Sequence, residues 1–368
     1  MAKGKPSSKP AKSRGESPSQ LRSKIERLDR DLLKLLNERA DLAAKYDRAD
    51  DKGKNGLGRD EQQLEQLVQS SKGPLNPRCV RAIFRELYSG SRDLTEKFRV
   101  AYLGPAYSYS HIAAITRFGD TTDLVPVGCI SAVFEEVQRG HVKYGLVPLE
   151  NSTDGRVADT LDMFTRLPIR ICGEVLLEIH HNLLAKCPRE QVQEVYSRPQ
   201  AISQCRNWLS KHLPAARVVE MTSTSTAAEL AQKKPGAAAI ASIQAAVHYG
   251  LDVLAENIED HAANVTRFAV IGQESSPRTG QDKTALLFEV DHKVGALADA
   301  TTVLKRNRLN MTWIESFPVP DRPGSYLFFV EVEGHETESR FKRAVGQLSR
   351  KALRLEVIGS YRRATLSA

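Results

Sequence analysis

The sequence predicts a multidomain protein with three folded parts of different class. Apolar residues at helical spacing predict an all-helical module over 19–97. Short apolar strands alternating with helices predict an α/β domain with largely parallel sheets over 98–272. A second pattern of strands and helices predicts an α+β domain over 283–363. A polar stretch, 273–282, is expected to link the last two parts, and a basic tail, 1–18, precedes the first. The chain of 368 residues has room for three such parts, since one domain commonly takes about 100–150 residues.

Composition and charge exclude several classes of protein. Hydrophobic residues make up 41% of the chain and charged residues 27%, which excludes collagen-like and wholly disordered chains. The net charge is +8, and the 1–18 tail contributes to it with five basic residues against one glutamate. We expect this tail to be a disordered, solubilising arm rather than a nucleic-acid contact. No stretch is apolar enough for a membrane span or a secretory leader, so we expect a cytoplasmic protein.

Metal and cofactor chemistry are not expected. The five cysteines include no C-x-x-C pair, and the nine histidines form no H-E-x-x-H pattern. His180 and His181 are adjacent and are expected along a strand. The two glycine-rich nucleotide-binding patterns, G-x-x-x-x-G-K-[ST] and G-x-G-x-x-G, are also missing. We therefore expect no metal and no cofactor.

The first helix carries an apolar seam that runs from Leu21 to Leu42. Apolar residues recur at alternating steps of four and three, the spacing of a long helix that packs against other helices. Glycines 53, 56 and 58 are expected to end it, and two more helices are expected over 59–70 and 78–97. A layer of three helices cannot hide so long a seam. The sequence therefore predicts that this module forms a dimer.

Arg39 interrupts the apolar seam and needs an anion beside it. That anion is either a carboxylate of the helical core or a bound carboxylate ligand, because an unpaired buried guanidinium is strongly destabilising. Arg22 lies about 25 Å from Arg39 along the helix axis. One helix cannot bring both to one small ligand, whereas an antiparallel partner chain could, which again favours a dimer.

Four loops of the α/β domain share one design, in which hydroxyl or amide residues lead into a helix. These loops are 104–110, 150–153, 197–200 and 222–226. Helix N-termini present free N–H groups and a positive dipole end, which suit carboxylates or phosphates. Any one loop could equally be an ordinary helix cap. Four of them in a domain whose strand ends converge on a cleft indicate an anion-binding site.

The C-terminal part reads strand, helix, strand, strand, helix, strand. The strands are expected over 284–290, 310–317, 325–332 and 354–360, with helices over 295–307 and 339–348. This βαββαβ order is the ferredoxin-like arrangement.

Motifs in all three parts resemble one family, the bifunctional chorismate mutase/prephenate dehydratases. In the α/β domain these motifs are Pro148-Leu-Glu-Asn-Ser152 with Gly155, and Asn264-Val-Thr-Arg-Phe268. Gly295-Ala-Leu297 and Glu315-Ser316 resemble the regulatory ACT domain of that family. The N-terminal helices resemble its chorismate mutase module. The resemblance covers the whole chain after the tail.

The resemblance implies a two-lobed, periplasmic-binding-protein-like dehydratase domain that converts prephenate to phenylpyruvate in phenylalanine biosynthesis. Loss of CO₂ and of a hydroxide makes the ring of prephenate aromatic. Thr266 is implied as the acid or hydrogen-bond donor that helps the hydroxyl leave, with Glu150 nearby. The other residues implied to act in or line the cleft are Asn151, Ser152, Gln204, Ser110, Ser197 and Gln200. Arg267 is implied to bind the substrate or to help structurally or electrostatically.

The same resemblance implies a substrate site in the helical module and an effector site in the C-terminal domain. The mutase-like substrate residues are Arg22, Arg39, Arg59 and Asp60. The residues implied to bind phenylalanine as a feedback effector are Gly295, Ala296, Leu297, Glu315 and Ser316. The family also implies a homodimer or homotetramer.

Several positions depart from the family pattern. Tyr107 stands where the family has glycine, and Phe317 replaces an arginine in the regulatory motif. Asp50 stands where the mutases have a lysine, and Thr95 where they have a glutamine. An aspartate would oppose the negative charge that develops on the ether oxygen as chorismate rearranges. We therefore predict weak or absent mutase activity and a dimerisation role for the helical module.

Two alternatives remain open at this point. The substrate could be arogenate, which carries an amine where prephenate has a keto group. The chain could instead be a ligand-sensing DNA-binding regulator, with a helical module, a two-lobed cleft and a basic tail. The long helical seam argues against that class, because a helix-turn-helix would need shorter helices.

Overall fold

A computed structural model describes residues 16–49, 56–95, 97–319 and 325–366. These residues form the three expected parts in the expected order. The expectations for Asp50 and for 1–15 of the basic tail concern residues outside these ranges. Among the described residues, no helix combines the length and the apolar character that crossing a bilayer requires.

The helical module consists of three helices, α1 (Pro18–Ala49), α2 (Gly56–Ser70) and α3 (Pro77–Asp93). Both α1 and α2 contact α3. Pro77 at the first position of α3 and the Asn76 side chain, which accepts from the Cys79 N–H at 2.8 Å, start that helix. The predicted seam of α1 is exposed within one chain, at Leu21, Ile25, Leu28, Leu32, Leu35 and Leu42.

The α/β domain has two lobes, each built on one sheet. The first lobe contains β1 (Arg99–Leu103), α4 (Tyr109–Phe118), β2 (Asp123–Val127), α5 (Ile130–Gln138), β3 (Tyr144–Asn151), β4 (Gly155–Arg156), α6 (Ala158–Arg166), β5 (Arg170–Glu178) and the returning β11 (Val265–Gly272). Its strand order is β2-β1-β3-β11-β5, with β4 paired to β3.

The second lobe lies between β5 and β11 in the chain. Its elements are β6 (Asn182–Ala185), a 3₁₀ turn (Arg189–Gln191), β7 (Glu194–Ser197), α7 (Pro199–Gln204), α8 (Arg206–His212), β8 (Arg217–Glu220), α9 (Thr224–Lys233), β9 (Ala237–Ala241), α10 (Ile243–Tyr249) and β10 (Asp252–Ala255). Its strand order is β10-β6-β9-β7-β8. The chain thus crosses between the lobes twice, after β5 and before β11.

Both sheets are mixed, so the expectation of largely parallel sheets is wrong. β1 pairs in parallel with β2 and β3, and β7 with β8 and β9. β11 returns from the second lobe and inserts antiparallel between β3 and β5. The alternation of strands and helices does not show this insertion, because β11 is distant in sequence from both of its neighbours.

The C-terminal domain has the predicted βαββαβ order. Its elements are β12 (Asp282–Val290), α11 (Ala296–Arg306), β13 (Met311–Pro318), β14 (Tyr326–Glu333), α12 (Ser339–Leu348) and β15 (Ala352–Arg362), and the antiparallel sheet runs β13-β14-β12-β15. One face of the sheet packs on α11 and α12, and the other face joins the core of the first lobe of the α/β domain.

The polar stretch 273–282 is packed rather than loose. Ser276 is buried, and its hydroxyl donates to the carbonyl oxygen of Cys172 in β5. Its own carbonyl oxygen lies 2.9 Å from Nε2 of His335. Gly359 of β15 lies against the backbone of Ile171 so closely that a Cβ could not fit. The C-terminal domain and the first lobe therefore form one continuous hydrophobic core.

Candidate active site

Asn151 and Thr266 lie side by side at the ends of two paired strands. Thr266 of β11 is the register partner of Asn151 of β3, so both side chains project from the same face. Nδ2 of Asn151 donates to Oγ1 of Thr266 at 2.8 Å and to Oδ1 of Asn264 at 3.0 Å. Because Oγ1 accepts from Asn151, the hydroxyl proton of Thr266 is left to be donated elsewhere. A β-bulge follows Arg267, a feature that often re-aims side chains beside active sites.

The loop after Asn151 is held in a fixed shape by side-chain hydrogen bonds. Oδ1 of Asn151 accepts from the N–H and the hydroxyl of Thr153 at 2.9 and 2.6 Å, and from the N–H of Asp154 at 3.1 Å. Ser152 donates to the carbonyl oxygen of Ala263 at 3.0 Å. These bonds tie the loop to the segment that enters β11. Asn151 and Ser152 are therefore fixed in place by the loop that contains them.

Gln204 comes from α7 of the second lobe and bridges to this loop. Its Nε2 donates to Oγ1 of Thr153 at 2.7 Å and to Oδ2 of Asp154 at 3.1 Å. Its Oε1 accepts from Asn264 at 2.9 Å and lies 2.8 Å from Nε2 of His181. The hydrogen-bonded chain from Thr266 through Asn151 and Asn264 thus reaches the second lobe at Gln204.

His181 is also a member of this network. The sequence predicts only that it lies along a strand, beside His180. It lies just before β6, at the first crossing between the lobes, and it is 2% exposed. Because the Gln204 amide nitrogen faces Thr153 and Asp154, the Gln204 oxygen is the acceptor, and Nε2 of His181 carries the proton. Nδ1 of His181 lies 3.0 Å from the hydroxyl of Tyr109. Burial lowers the pKa of His181, which favours the neutral ring.

Asn264, the first residue of the Asn264-Val-Thr-Arg-Phe268 motif, joins the two halves of the network. It is 2% exposed and contacts both Asn151 and Gln204. Its position one residue before the strand that carries Thr266 is the signal that could have identified it. Nothing in the local sequence marks His181, because its partners Tyr109 and Gln204 are 72 and 23 residues away.

Other predicted cleft residues lie around this network in different environments. Ser110 is buried in the first turn of α4, beside Tyr109. Gln200 is exposed in the first turn of α7. Ser197 is fully buried, and its hydroxyl donates to the carbonyl oxygen of Ile240 at 2.7 Å. The Ser197 side chain is therefore engaged in holding β7 to β9 rather than turned toward the network.

Glu150 and Arg267 project from the opposite face of the sheet. They are register partners one residue away from Asn151 and Thr266, so their side chains point the other way. Nε of Arg267 lies 3.2 Å from Oε2 of Glu150, and its Nη1 lies 2.6 Å from Oε2 of Glu331 in β14. This placement corrects the expectations that Glu150 lines the cleft and that Arg267 binds the substrate, and it agrees with a structural role for Arg267. The reason is that successive side chains along β3 and β11 alternate between the two faces of the sheet.

Tyr107 closes the contact between the two lobes. Its backbone has φ 62°, a left-handed conformation that favours glycine. Its ring stacks on His248 of α10, with 3.6 Å between ring centroids. Beside it, the hydroxyl of Ser225 at the start of α9 donates to the carbonyl oxygen of Ala106 at 2.6 Å. The two lobes are therefore in contact on the side of the loop that precedes α4.

Comparisons with known proteins agree with this architecture. Residues 100–276 match the prephenate dehydratase family and residues 21–96 match chorismate mutase type II. The chain is 39% identical over 359 residues to the bifunctional chorismate mutase/prephenate dehydratase of Aquifex aeolicus, covering 95% of this chain and 99% of that protein. The chain belongs to the bifunctional chorismate mutase/prephenate dehydratase family.

Two solved structures resemble this chain over nearly three quarters of its length. The prephenate dehydratase of Arthrobacter aurescens in complex with L-Phe is 32% identical, with a TM-score of 0.67 over 72% of this chain and 90% of that one. A chain described as GqqA, a novel type of quorum quenching acylase, is 27% identical, with a TM-score of 0.67 over 73% of this chain and 100% of that one.

The mutase module brings some of its predicted residues together. Nη1 of Arg39 donates to Oγ of Ser91 at 2.7 Å, and its guanidinium lies 4.6 Å from the centroid of the Tyr88 ring. Nη1 of Arg92 lies 2.6 Å from Oδ2 of Asp60. Burial raises the pKa of Asp60 against the opposing effect of Arg92. The charge of Arg39 also favours ionised Asp60, so both residues lie against the face of α3 that carries Tyr88, Ser91 and Arg92.

Arg22, another of the predicted mutase residues, does not join this group within one chain. The Arg22 side chain is 84% exposed and pairs with Glu26 one turn along α1, at 3.1 Å. The side chain of Arg59 lies outside the described residues, as does Asp50. Thr95 donates to the carbonyl oxygen of Arg92 at 3.1 Å. Thr95 is therefore bonded to the end of α3 itself.

The predicted effector residues fall into two separate places. Gly295, with φ 80°, starts α11, and Ala296 and Leu297 line a cavity of about 150 Å³ with residues of β14 and the 290–293 loop. Glu315 lies elsewhere, with its Oε2 2.8 Å from Nη1 of Arg156 in β4. Arg156 also donates to the carbonyl oxygen of Ser316 at 3.1 Å. Within one chain, the second motif therefore contacts the dehydratase domain.

Proposed function

We propose that the α/β domain catalyses the decarboxylative dehydration of prephenate to phenylpyruvate, a step of phenylalanine biosynthesis. The observation that carries the proposal is the Asn151–Thr266 pair, set in a hydrogen-bonded network where the two lobes meet. The family match over this domain supports the same reaction. The two lobes around the network are the arrangement expected of a periplasmic-binding-protein-like cleft.

The reaction needs one proton and no redox partner. The bond between the ring and its carboxylate breaks, and that electron pair moves into the ring as CO₂ departs. The opposite C–O bond breaks, and the leaving hydroxyl takes up a proton to become water, which leaves phenylpyruvate. Thr266 donates a hydrogen bond to the leaving hydroxyl, while Asn151 holds Oγ1 in place. A positioned donor of this kind contributes about 10²–10⁴-fold to the rate.

The substrate is a dianion, and we propose that uncharged groups hold it. Arg267 is turned to the other face, and its guanidinium is paired with Glu331 and Glu150. Backbone N–H groups and amide or hydroxyl side chains remain, which stabilise carboxylates at helix N-termini. Gln200 in the first turn of α7 is exposed and available for this role. Gln204 then fixes the second lobe against the loop that carries Asn151.

We propose that the helical module serves chiefly as a dimerisation domain, with weak or absent conversion of chorismate to prephenate. Leu28, Leu35 and Leu42 of α1 are 61, 61 and 64% exposed in one chain. Exposed apolar surface of this length marks a protein–protein contact. Arg22 is 84% exposed, and an antiparallel second chain would bring it toward Arg39. A chorismate consumption assay on the full chain tests the activity, and turnover similar to prephenate turnover would contradict it.

We propose that the C-terminal domain is an ACT domain that binds phenylalanine as a feedback effector. The small cavity beside Ala296 and Leu297 supports this site. The solved relative in complex with L-Phe supports the choice of effector. Phe317 replaces an arginine in the second motif, so the strength of the feedback is what a phenylalanine inhibition assay of the dehydratase would measure. We further propose that the protein works in the cytoplasm.

Incubation with prephenate and, separately, with arogenate tests the proposed reaction. Formation of phenylpyruvate from prephenate is the expected result. Formation of phenylalanine from arogenate at the higher rate would assign the protein to the arogenate alternative. If neither product forms, the proposed reaction is wrong.

A further inference from the structure

Charged residues of the C-terminal domain close the back of the proposed active site. On the sheet face opposite Asn151 and Thr266, the strand register aligns Arg156, Glu150 and Arg267 in one row across β4, β3 and β11. In β3, Glu150 of this row directly precedes Asn151 of the site, and in β11, Arg267 directly follows Thr266. Adjacent residues of a strand are about 3.3 Å apart, so the row and the site move together.

Two carboxylates from the C-terminal domain meet the ends of this row. Glu331 of β14 accepts from Nη1 of Arg267 through both of its oxygens, at 2.6 and 2.8 Å. Glu315 of β13 lies 2.8 Å from Nη1 of Arg156. The Trp313 ring covers the Arg267 guanidinium, with 4.5 Å from its carbon to the ring centroid. The C-terminal sheet thus binds both β4 and β11, the two outer strands of this row.

Glu331 is held as firmly as the arginine it binds. It is 1% exposed, accepts from the hydroxyl of Tyr361 at 2.5 Å, and lies 3.3 Å from Nζ of Lys283. Although burial opposes ionisation, Arg267 and Lys283 keep the pKa of Glu331 below its usual value. Lys283 also pairs with the buried Glu174 at 2.8 Å, so two cations face two anions.

Stability alone does not account for this cluster. Buried ion pairs are commonly no more stabilising than apolar residues of the same volume, because desolvation offsets the attraction. Apolar residues already surround it, since the same sheet face carries Leu287, Leu327 and Phe329 in the shared core. What the charges add is a defined position for Arg267, whose Nη1 donates to both oxygens of the Glu331 carboxylate.

We propose that Glu331 of the C-terminal domain is a positioning residue for the dehydratase reaction. The proposal rests on the function proposed above for the α/β domain. Glu331 does not touch the substrate; it holds Arg267, and the backbone of β11 carries that constraint to Thr266. An error of 1 Å in the position of a reacting group can cost about 10²-fold in rate. A ligand of the C-terminal domain that shifts β14 then acts on turnover rather than on substrate affinity.

The test compares Glu331→Gln with Glu333→Gln in the full chain. Both substitutions neutralise a glutamate of β14, but Glu333 is partly exposed and pairs only loosely with Arg363, at 3.6 Å. We expect Glu331→Gln to lower kcat for prephenate about tenfold while KM stays within about twofold, because an interaction that matters in the transition state is weakened. Glu333→Gln should match the wild type in both constants.

Two further variants separate positioning from folding. Tyr361→Phe keeps every charge and removes only the hydroxyl that donates to Glu331, so it should fold and lower kcat about threefold. Lys283→Gln combined with Glu331→Gln removes one charge of each sign and should recover thermal stability, while kcat stays low because Arg267 still lacks the carboxylate of the C-terminal domain that held it. Wild-type kcat in Tyr361→Phe, or recovery of kcat in the double variant, would overturn the proposal. Lack of prephenate turnover in the wild type would instead overturn the proposed function.

Discussion

Replacing Thr266 by valine removes one hydroxyl and almost nothing else. Valine keeps the β-branched shape and the strand preference of threonine, so β11 should form as before. Nδ2 of Asn151 loses its bond to Oγ1 but keeps Oδ1 of Asn264 at 3.0 Å. The expected loss in the free energy of unfolding is therefore about 1 kcal/mol, the usual contribution of one hydrogen bond.

The effect on turnover should be much larger than the effect on stability. If the Thr266 hydroxyl assists departure of the leaving group, kcat for prephenate falls about 10²–10⁴-fold, which corresponds to about 2.7–5.4 kcal/mol of barrier. Phenylpyruvate formation measures kcat, and thermal unfolding measures stability. Thr116→Val is the matched control, because Thr116 bonds only to the Ile112 carbonyl within α4, at 2.8 Å. A Thr266→Val variant with unchanged kcat would remove Thr266 from the mechanism.

Three further predictions concern other parts of the molecule. Tyr107→Gly should raise KM about threefold, because it removes the stack of the Tyr107 ring on His248. Tyr107→Phe keeps the ring and should keep the wild-type KM. Equal KM values in the two variants would contradict a role for this stack in joining the lobes. Burial lowers the pKa of His181 below its usual value of 6.5. As the pH falls, His181 is therefore protonated in the unfolded protein before it is protonated in the folded one, and the free energy of unfolding decreases below pH 6.5. His181→Asn should therefore show a smaller loss of melting temperature between pH 7 and pH 5, and an unchanged loss would contradict this. Leu28→Lys with Leu32→Lys should convert a dimer to monomers in light scattering, because each buried leucine contributes about 2 kcal/mol; a dimer that persists would exclude α1 as the interface.

The spacing of apolar residues predicted helices and strands well where a single segment of the chain has one apolar face. The seam of α1 and the βαββαβ order followed from spacing that the structure confirms, whereas the 150–153 loop leads into β4 and not, as predicted, directly into a helix. The exposure of this seam in one chain was also predictable, because its length in the sequence exceeds what a layer of three helices can cover. Asn151 and Thr266 followed from motifs, and the register of β3 with β11 places them together.

The parts that the sequence analysis missed depend on pairings between distant segments. The insertion of β11 between β3 and β5 makes the first sheet mixed, and no local signal encodes which strands a returning segment will join. His181 became a network member only because Gln204 of α7 reaches it from the second lobe. The packed 273–282 stretch follows from the contact between β15 and β5, which lie far apart in the chain.

The sequence by itself determined the three parts and their order, because helical and strand periodicities are properties of short segments. Only the tertiary structure decided which face each residue occupies. Arg267 and Thr266 are neighbours in the chain, yet one binds Glu331 of another domain and the other accepts from Asn151. The physical reason is that a strand alternates its side chains while pairing and docking choose what each face meets.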